Sequence, residues 1–163
     1  MKPKNAVRLD RSIGRVIYKL HCIFYRLTGG LIGHWTHSGP ILLLTTTGRK
    51  SGKKRINPLL YMPDGPDSHQ PERYLVAGSN GGRPQPPAWL LNLQADPRAV
   101  VQVRSRRFPV KAEILAGEAK AEVWPRMTTH YVGWSYYETL TDRTIWPVAL
   151  VPLTSSVPPP DGN

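Results

Sequence analysis

Hydrophobic residues recur at every third or fourth position between residues 7 and 27. The repeating positions carry Ile13, Val16, Ile17, Leu20, Phe24 and Leu27. Basic residues fall on the opposite side of the same helical wheel, at Arg8, Arg11, Arg15, Lys19 and Arg26. This pattern predicts an amphipathic helix with one basic face. The glycines of "TGGLIGHWTHSGP" predict that the helix ends there and that a linker reaches residue 40.

From residue 41 the pattern changes to short runs of β-branched and apolar residues that are separated by turn sequences. The runs predict six strands, at Ile41–Thr47, Arg55–Met62, Arg73–Ser79, Val100–Arg104, Phe108–Leu115 and Pro147–Pro152. Proline at both ends of the last run predicts an edge strand, because proline has no backbone N–H to donate.

Helical patterns interrupt these strands. "PPAWLLNLQADP" predicts a short helix that begins near Pro87 and ends before Asp96. "GEAKAEVWPRMTTHY" predicts the next helix, with Pro125 as a kink or break, and a short helix follows from Trp134 to Thr141. Together the elements predict an α+β fold, a small and mostly antiparallel barrel with peripheral helices.

The length of 163 residues fits one folded domain. We expect residues 1–40 to form the helix and linker, residues 41–153 the barrel, and residues 154–163 a flexible, proline-rich tail. Cys22 is the single cysteine, which excludes an intrachain disulfide and a cysteine metal cluster. The chain lacks a secretory signal and any run of about 18 apolar residues, so a cytoplasmic protein is expected.

The formal net charge of +11 indicates an anionic partner, which includes nucleic acid, acidic lipid and phosphorylated small molecules. Five of the seven residues from Arg49 to Arg55 are basic, within "TTTGRKSGKKRINPLLY". Gly48 and Gly52 allow a turn whose successive backbone N–H groups form an anion nest. Arg49 and Arg55 would add bidentate contacts to phosphate oxygens. A solvated hairpin tip explains the same composition.

Two further clusters carry small or aromatic residues. In "AGSNGGRPQPPAWLLNL", the small residues at a strand end let a ligand approach the backbone, while Trp89 and Asn92 share one helix face. "HYVGWSYYETLTDR" places Tyr131, Trp134 and Tyr137 on one helical face. Packing into a core, stacking on a planar ligand and contact with lipid all fit this aromatic stripe.

In this order, the three clusters resemble the deazaflavin-dependent nitroreductase family of actinobacteria. The resemblance rests on "LLLTTTGRKSGKKRINPL", "VAGSNGG…PPAWLLNL" and "WP…Y…TDRTI" and covers roughly residues 41–152. It implies a split β-barrel of the FMN-binding-like superfamily. The implied cofactor is coenzyme F-420, an 8-hydroxy-5-deazaflavin with a ribityl-phospholactyl-oligoglutamate tail. FMN, which other split barrels use, is the alternative cofactor.

The resemblance also assigns site residues. Cofactor binding is implied for Arg49, Lys50, Ser51, Arg55, Asn57, Pro58, Ala77, Gly78, Ser79, Asn80, Trp89 and Asn92. Catalytic positions at the substrate are implied for Ser79, Tyr131, Trp134 and Tyr137. The basic hairpin would hold the acidic tail, the Ala77–Asn80 strand end would follow the ring, and the aromatic residues would cover the substrate. No metal site is implied.

The implied activity is hydride transfer from reduced coenzyme F-420 to a quinone, a nitroaromatic or an activated alkene. A carrier that holds the deazaflavin without turnover is a second hypothesis. Nucleic-acid binding is a remote third hypothesis, since no known nucleic-acid module is present.

The basic N-terminal helix suggests peripheral contact with the anionic inner face of the plasma membrane. A helix packed on the barrel with a solvated basic face fits the same sequence. A homodimer is also open, because split barrels often dimerise.

Overall fold

The computed structural model describes residues 20, 23–25, 27–28, 30, 35–36, 38–68 and 70–153. Within this part, eight strands form one antiparallel sheet: β1 (Trp35–Thr36), β2 (Gly39–Thr47), β3 (Lys54–Leu60), β4 (Met62–Asp64), β5 (Arg73–Ala77), β6 (Arg98–Val103), β7 (Arg106–Ile114) and β8 (Pro147–Pro152). The helices are α1 (Ala88–Ala95), α2 (Gly117–His130) and α3 (Gly133–Glu138), with a 3-10 turn at Asn80–Gly82. The predicted α+β barrel is confirmed.

The sheet curls into a barrel because β3 and β4 are two halves of one bent strand. β3 pairs with β2 along its whole length. The chain then passes Tyr61 and continues as β4, which pairs with β5 and places Met62 opposite Leu75. One continuous stretch therefore borders both ends of the order β2-β6-β7-β8-β5. Among the strands that the structure describes, β3 forms a ladder with β2 alone, so the barrel wall is split between β3 and β5.

β8 lies inside the sheet, between β5 and β7, so the edge position predicted for it is wrong. Its two prolines stand at the ends of the strand, where the loss of an N–H leaves the central ladders intact. The four residues from Pro147 to Leu150 are all buried. A short run that is apolar on both faces is typical of an interior strand.

Alternate residues of the same strand face two different cores. Val76 of β5 packs inside the barrel, where α1 adds Leu90 and Leu93 to the same cluster. Leu75 and Ala77 belong to an outer cluster, on the side of α2 and α3. The helices supply Val123, Met127 and Trp134 to this outer cluster. Helix α2 continues through Pro125 and ends at His130.

The N-terminal helix is described at residues 20, 23–25 and 27, all of which are helical. The Tyr25 side chain is fully buried. Its hydroxyl donates to Ile41 O at 2.9 Å and accepts from the Arg104 N–H at 2.9 Å. These two bonds hold the helix against β2 and the β6–β7 turn. The rest of the predicted helix and the predicted tail at residues 154–163 lie outside the described residues.

Asp64, at the end of β4, ties α2 to the barrel. The side chain is 10% exposed, and its oxygens accept from Arg73 Nε at 2.6 Å and Arg126 Nη1 at 2.7 Å. Burial raises the pKa of Asp64, but the hydrogen bonds from Arg126 and Arg73 outweigh it and hold the pKa below its ordinary value. The ion pair therefore stabilises the position of α2, which leads directly into α3.

We expect Asp64→Asn to lower the free energy of unfolding by about 2 kcal/mol at neutral pH, because both guanidinium groups lose their shared anion. The folded-state pKa lies below the unfolded value, so the stabilisation is complete above pH of about 4 and is lost as the pH falls further. Urea unfolding at several pH values measures this difference. Glu122→Gln is the matched control, since Glu122 is 69% exposed and lies 3.7 Å from Arg126. Equal stability of Asp64→Asn and wild type at pH 7 would contradict the prediction.

Candidate functional site

Two adjoining cavities lie along the split between β3 and the end of β5. Their volumes are about 300 Å³ and 390 Å³, which is the size of small-molecule sites. They share Pro58, Leu59, Ala77, Ser79 and Gly81 and so form one continuous groove. The missing ladder between β3 and β5 leaves room for this groove.

The two ends of the groove have different walls. The helix-side cavity is completed by Asn57, Asn80, Pro87, Ala88 and Trp89. The other cavity, called the lid-side cavity after the aromatic lid of Tyr131, Trp134 and Tyr137, is completed by these three residues and by Ser38, Ile41 and Leu60. Small and polar residues and the single ring of Trp89 thus border one end, while the rings of Tyr131, Trp134 and Tyr137 border the other.

The loop after β5 is built by close packing. A Cβ on Gly78 would lie 2.8 Å from Leu90 Cδ2, so a larger residue there would push aside the Leu90 side chain of α1. Gly82 has φ +73°, and a Cβ on it would lie 2.8 Å from Leu140 Cβ. Glycine at these two positions lets the loop pass between α1 and the segment after α3.

Ser79 is the buried polar residue that both cavities share. It is 8% exposed. Its Oγ makes no hydrogen bond to any residue that the structure describes. Buried hydroxyl groups in proteins almost always have a partner. On the wall of a groove, this hydroxyl is available to hydrogen-bond water or a polar atom of a ligand.

The neighbouring Asn80 has a different role in the loop. Its backbone is left-handed, with φ 48°, and its side-chain Nδ2 donates to Gln85 O at 2.8 Å. The amide thus closes the loop across five residues, while the residue still borders the helix-side cavity.

The basic hairpin between β2 and β3 folds on its own backbone. The amides of Gly48, Ser51 and Gly52 donate to carbonyls within the turn, and the Lys53 amide donates to Ser51 Oγ at 3.4 Å. The predicted anion nest is therefore wrong, because these N–H groups are already used. The side chains of Arg49, Lys50 and Arg55 are exposed, and none forms a salt bridge within the described ranges.

Asn92 connects this hairpin to α1. Its Oδ1 accepts from the Arg49 amide at 3.1 Å, and its Nδ2 donates to Thr46 Oγ1 at 3.0 Å. The residue is 4% exposed and borders neither cavity. Its side chain fixes the direction in which Arg49 leaves the barrel.

Tyr131, Trp134 and Tyr137, which follow α2, form a lid over one end of the groove. The rings of Tyr131 and Trp134 meet edge to face, with centroids 5.5 Å apart and an interplanar angle of 89°. The hydroxyls of Tyr131 and Tyr137 lie 3.4 Å apart. The hydrogen bond with Tyr131, together with burial, raises the pKa of Tyr137. Tyr137 therefore remains a neutral hydrogen-bond donor at physiological pH. Trp134 is 3% exposed and also packs in the outer core.

A family model described as F420H(2)-dependent quinone reductase matches residues 17–152. An F-420H(2)-dependent quinone reductase of Mycobacterium tuberculosis is 34% identical over 149 residues, which cover 90% of this chain and 95% of that protein. This chain belongs to that family.

Two solved structures are similar to this chain. A structure described as an F-420-H2-dependent reductase is 36% identical, with a TM-score of 0.59, and the match covers 68% of this chain and 93% of that one. A structure described as a domain-swapped dimer is 29% identical, with a TM-score of 0.62, and the match covers 90% of this chain and 99% of that one. The split barrel implied by the resemblance is confirmed.

The structure brings most of the expected site residues into the groove. Those that border it are Asn57, Pro58, Ala77, Ser79, Asn80, Trp89, Tyr131, Trp134 and Tyr137. Gly78 lies behind the wall, against Leu90. The hairpin residues Arg49, Lys50, Ser51 and Arg55 line neither cavity. Arg55 precedes Asn57 by two strand residues, about 7 Å, so the hairpin begins where the groove ends.

Several groove residues were not assigned to the site from the sequence. These are Ser38, Ile41, Leu59, Leu60, Gly81, Pro87 and Ala88. Leu59 and Leu60 follow Pro58 on the unpaired side of β3, and Pro87 and Ala88 precede Trp89. The bend at Tyr61 explains why Leu59 and Leu60 border the groove. The bend is evident only when the two partner strands of this stretch are known.

We expect Asn92→Leu to lower the free energy of unfolding by about 1–3 kcal/mol, because the Arg49 amide and Thr46 hydroxyl lose their buried partner. Asn92→Asp keeps an acceptor for both groups and should cost less. Chemical denaturation measures both variants. Gln94→Leu, on the exposed side of the same helix, is the control. If Asn92→Leu is no less stable than Gln94→Leu, the bridge does not hold the hairpin.

Proposed function

We propose that this chain binds coenzyme F-420 along the groove, with the tail on the basic hairpin, and uses the reduced form to reduce a quinone. Membership of the quinone reductase family supports the cofactor and the reaction. The observation that carries the proposal is the orphaned Ser79 hydroxyl, buried on the wall that both cavities share.

The hairpin fits an anionic tail. Arg49, Lys50 and Arg55 are exposed and carry no salt bridge in the described part of the chain. Phosphate and glutamate carboxylates would supply the missing anions, and arginine binds both groups in a bidentate manner. Asn92 would act by positioning Arg49 rather than by contacting the cofactor.

The helix-side cavity fits a planar ring. Ala77 and Pro58 line this cavity, and a Cβ on Gly81 would meet no atom within 4 Å. Small side chains let a flat ring lie close to the backbone. Ser79 Oγ would hydrogen-bond the edge of the ring.

The lid-side cavity fits the electron acceptor. Reduced coenzyme F-420 supplies a hydride when bound. Tyr131 and Tyr137 would donate hydrogen bonds to a quinone oxygen, and the edge-to-face pair of Tyr131 and Trp134 would exclude water from the ring face.

We expect micromolar binding of oxidised F-420, followed by fluorescence, and weaker binding of FMN. The double variant Lys50→Ala, Arg55→Ala should weaken F-420 binding about tenfold or more at low salt and less at high salt, because salt screens exposed charges. Arg107→Ala, Lys111→Ala removes the same charge from β7 and serves as the control. Binding of neither cofactor would contradict the proposal.

The choice of acceptor needs a separate measurement. We expect oxidation of reduced F-420 by menadione and slower or no oxidation by a nitroimidazole. Tight F-420 binding with no turnover on either acceptor would favour a carrier. Binding of a nucleic-acid duplex in preference to F-420 would favour the remote alternative.

We further propose that the N-terminal helix contacts an anionic membrane surface. Leu20, Ile23, Phe24 and Leu27 are about 50–80% exposed and follow helical spacing. At about 100° per residue, Tyr25 lies on the opposite side of the helix, against the barrel. The apolar stripe therefore points away from the protein, as in helices that lie at a membrane interface. None of the described helices is long and apolar enough to span a membrane.

We expect the chain to float with vesicles that contain anionic lipid and to float less with purely zwitterionic vesicles. Phe24→Ser, Leu27→Ser should abolish flotation, while Leu153→Ser, at another exposed leucine, should not. Unchanged flotation of the double variant would contradict the proposal. A second copy of the chain is the alternative occupant of the apolar stripe, as the domain-swapped dimer suggests. Light scattering, which measures the oligomeric state, tests this alternative.

A further inference from the structure

Arg143 connects the segment after α3 to the loop after β5. Its Nε donates to Arg83 O at 3.0 Å, its Nη1 to Gly78 O at 3.0 Å, and its Nη2 to Ser79 O at 2.5 Å. Nη1 also lies 3.3 Å from Thr144 O. One guanidinium group thus binds carbonyls at both ends of the loop that carries Ser79.

The guanidinium group has backbone carbonyls as partners instead of a carboxylate. Arg143 forms no salt bridge with any residue that the structure describes. Burial lowers its pKa from the ordinary value. No other described side chain donates to these three loop carbonyls. Hydrogen bonds to the three loop carbonyls therefore offset the cost of burying the cation.

Arg143 adds to the short-range bonds that the loop makes by itself. The residues Asn80, Gly81 and Gly82 all have positive φ, and the Gly82 and Arg83 amides donate to the carbonyls three residues earlier. The same loop packs through Gly82 against Leu140 Cβ and Tyr137 O, at the end of the segment that carries the lid. Arg143 follows Leu140 by three residues. A change at Arg143 would therefore alter the distance between the Ser79 hydroxyl and the lid.

We propose that Arg143 is a positioning residue that fixes the Ser79 hydroxyl relative to the aromatic lid. The inference deepens the proposed function and rests on it for the role of Ser79 and the lid. Arginine is required because its planar fork supplies several donors at fixed angles, which a lysine ammonium does not.

The test compares Arg143→Ala and Arg143→Lys with Arg83→Ala, which removes an exposed cation from the same loop. We expect kcat with menadione to fall about tenfold or more in Arg143→Ala, because small misplacements of reacting groups slow the chemical step. KM for menadione should change little. Added methylguanidinium should restore part of kcat in Arg143→Ala, and Arg143→Lys should lie between. Arg83→Ala should keep the wild-type kcat.

Hydrogen exchange provides a readout that needs no cofactor. Amides of residues 78–83 should exchange faster in Arg143→Ala, while amides of β2 and β6 keep wild-type rates. Wild-type exchange in this loop, or a kcat loss without rescue and with uniformly faster exchange, would overturn the inference. If the wild-type chain binds no F-420 but loop exchange still depends on Arg143, the proposed function fails while the positioning of the loop stands.

Discussion

The bend at Tyr61 is the constraint on which the rest of the structure depends. Before it, the chain pairs with β2, and after it, the chain pairs with β5. The barrel closes through this single stretch, but within the described part of the chain β3 has no ladder on its other side. The groove occupies that unpaired side, so the same bend that completes the fold also opens the site. Pro58 lies on β3 next to the groove. Its missing N–H costs no ladder hydrogen bond there, because this side of β3 pairs with no described strand.

Polar side chains with distant partners hold the parts of the site together. Asn92 orients the basic hairpin, Tyr25 holds the N-terminal helix, and Asp64 ties α2 to the barrel. Arg143 joins the Ser79 loop to the segment after the lid. Each is wholly or partly buried, where a hydrogen bond is costly to leave unmade. The site is therefore assembled by a few long-range contacts on a rigid sheet.

Local patterns in the sequence predicted six of the eight described strands, the helices and part of the groove lining. Ser79 and Trp89 were found because small and aromatic residues mark a strand end and a helix face. The partners of Asn92 and Tyr25 were not found, because they lie 16 to 79 residues away along the chain. The prediction of an anion nest was wrong because the carbonyl groups of the turn already accept hydrogen bonds from its N–H groups. The prediction of an edge strand was wrong because a proline at the end of a strand, unlike one in its middle, removes no central ladder hydrogen bond.

The most direct test of the central claim is a crystal structure of this chain with oxidised coenzyme F-420. We predict the deazaflavin ring between β3 and the Ser79 loop, with Ser79 Oγ hydrogen-bonded to the ring and the tail phosphate on Arg49, Lys50 or Arg55. One ring face should remain open toward Tyr131 and Tyr137. A ring bound outside the split, or a tail that points away from the hairpin, would contradict the claim.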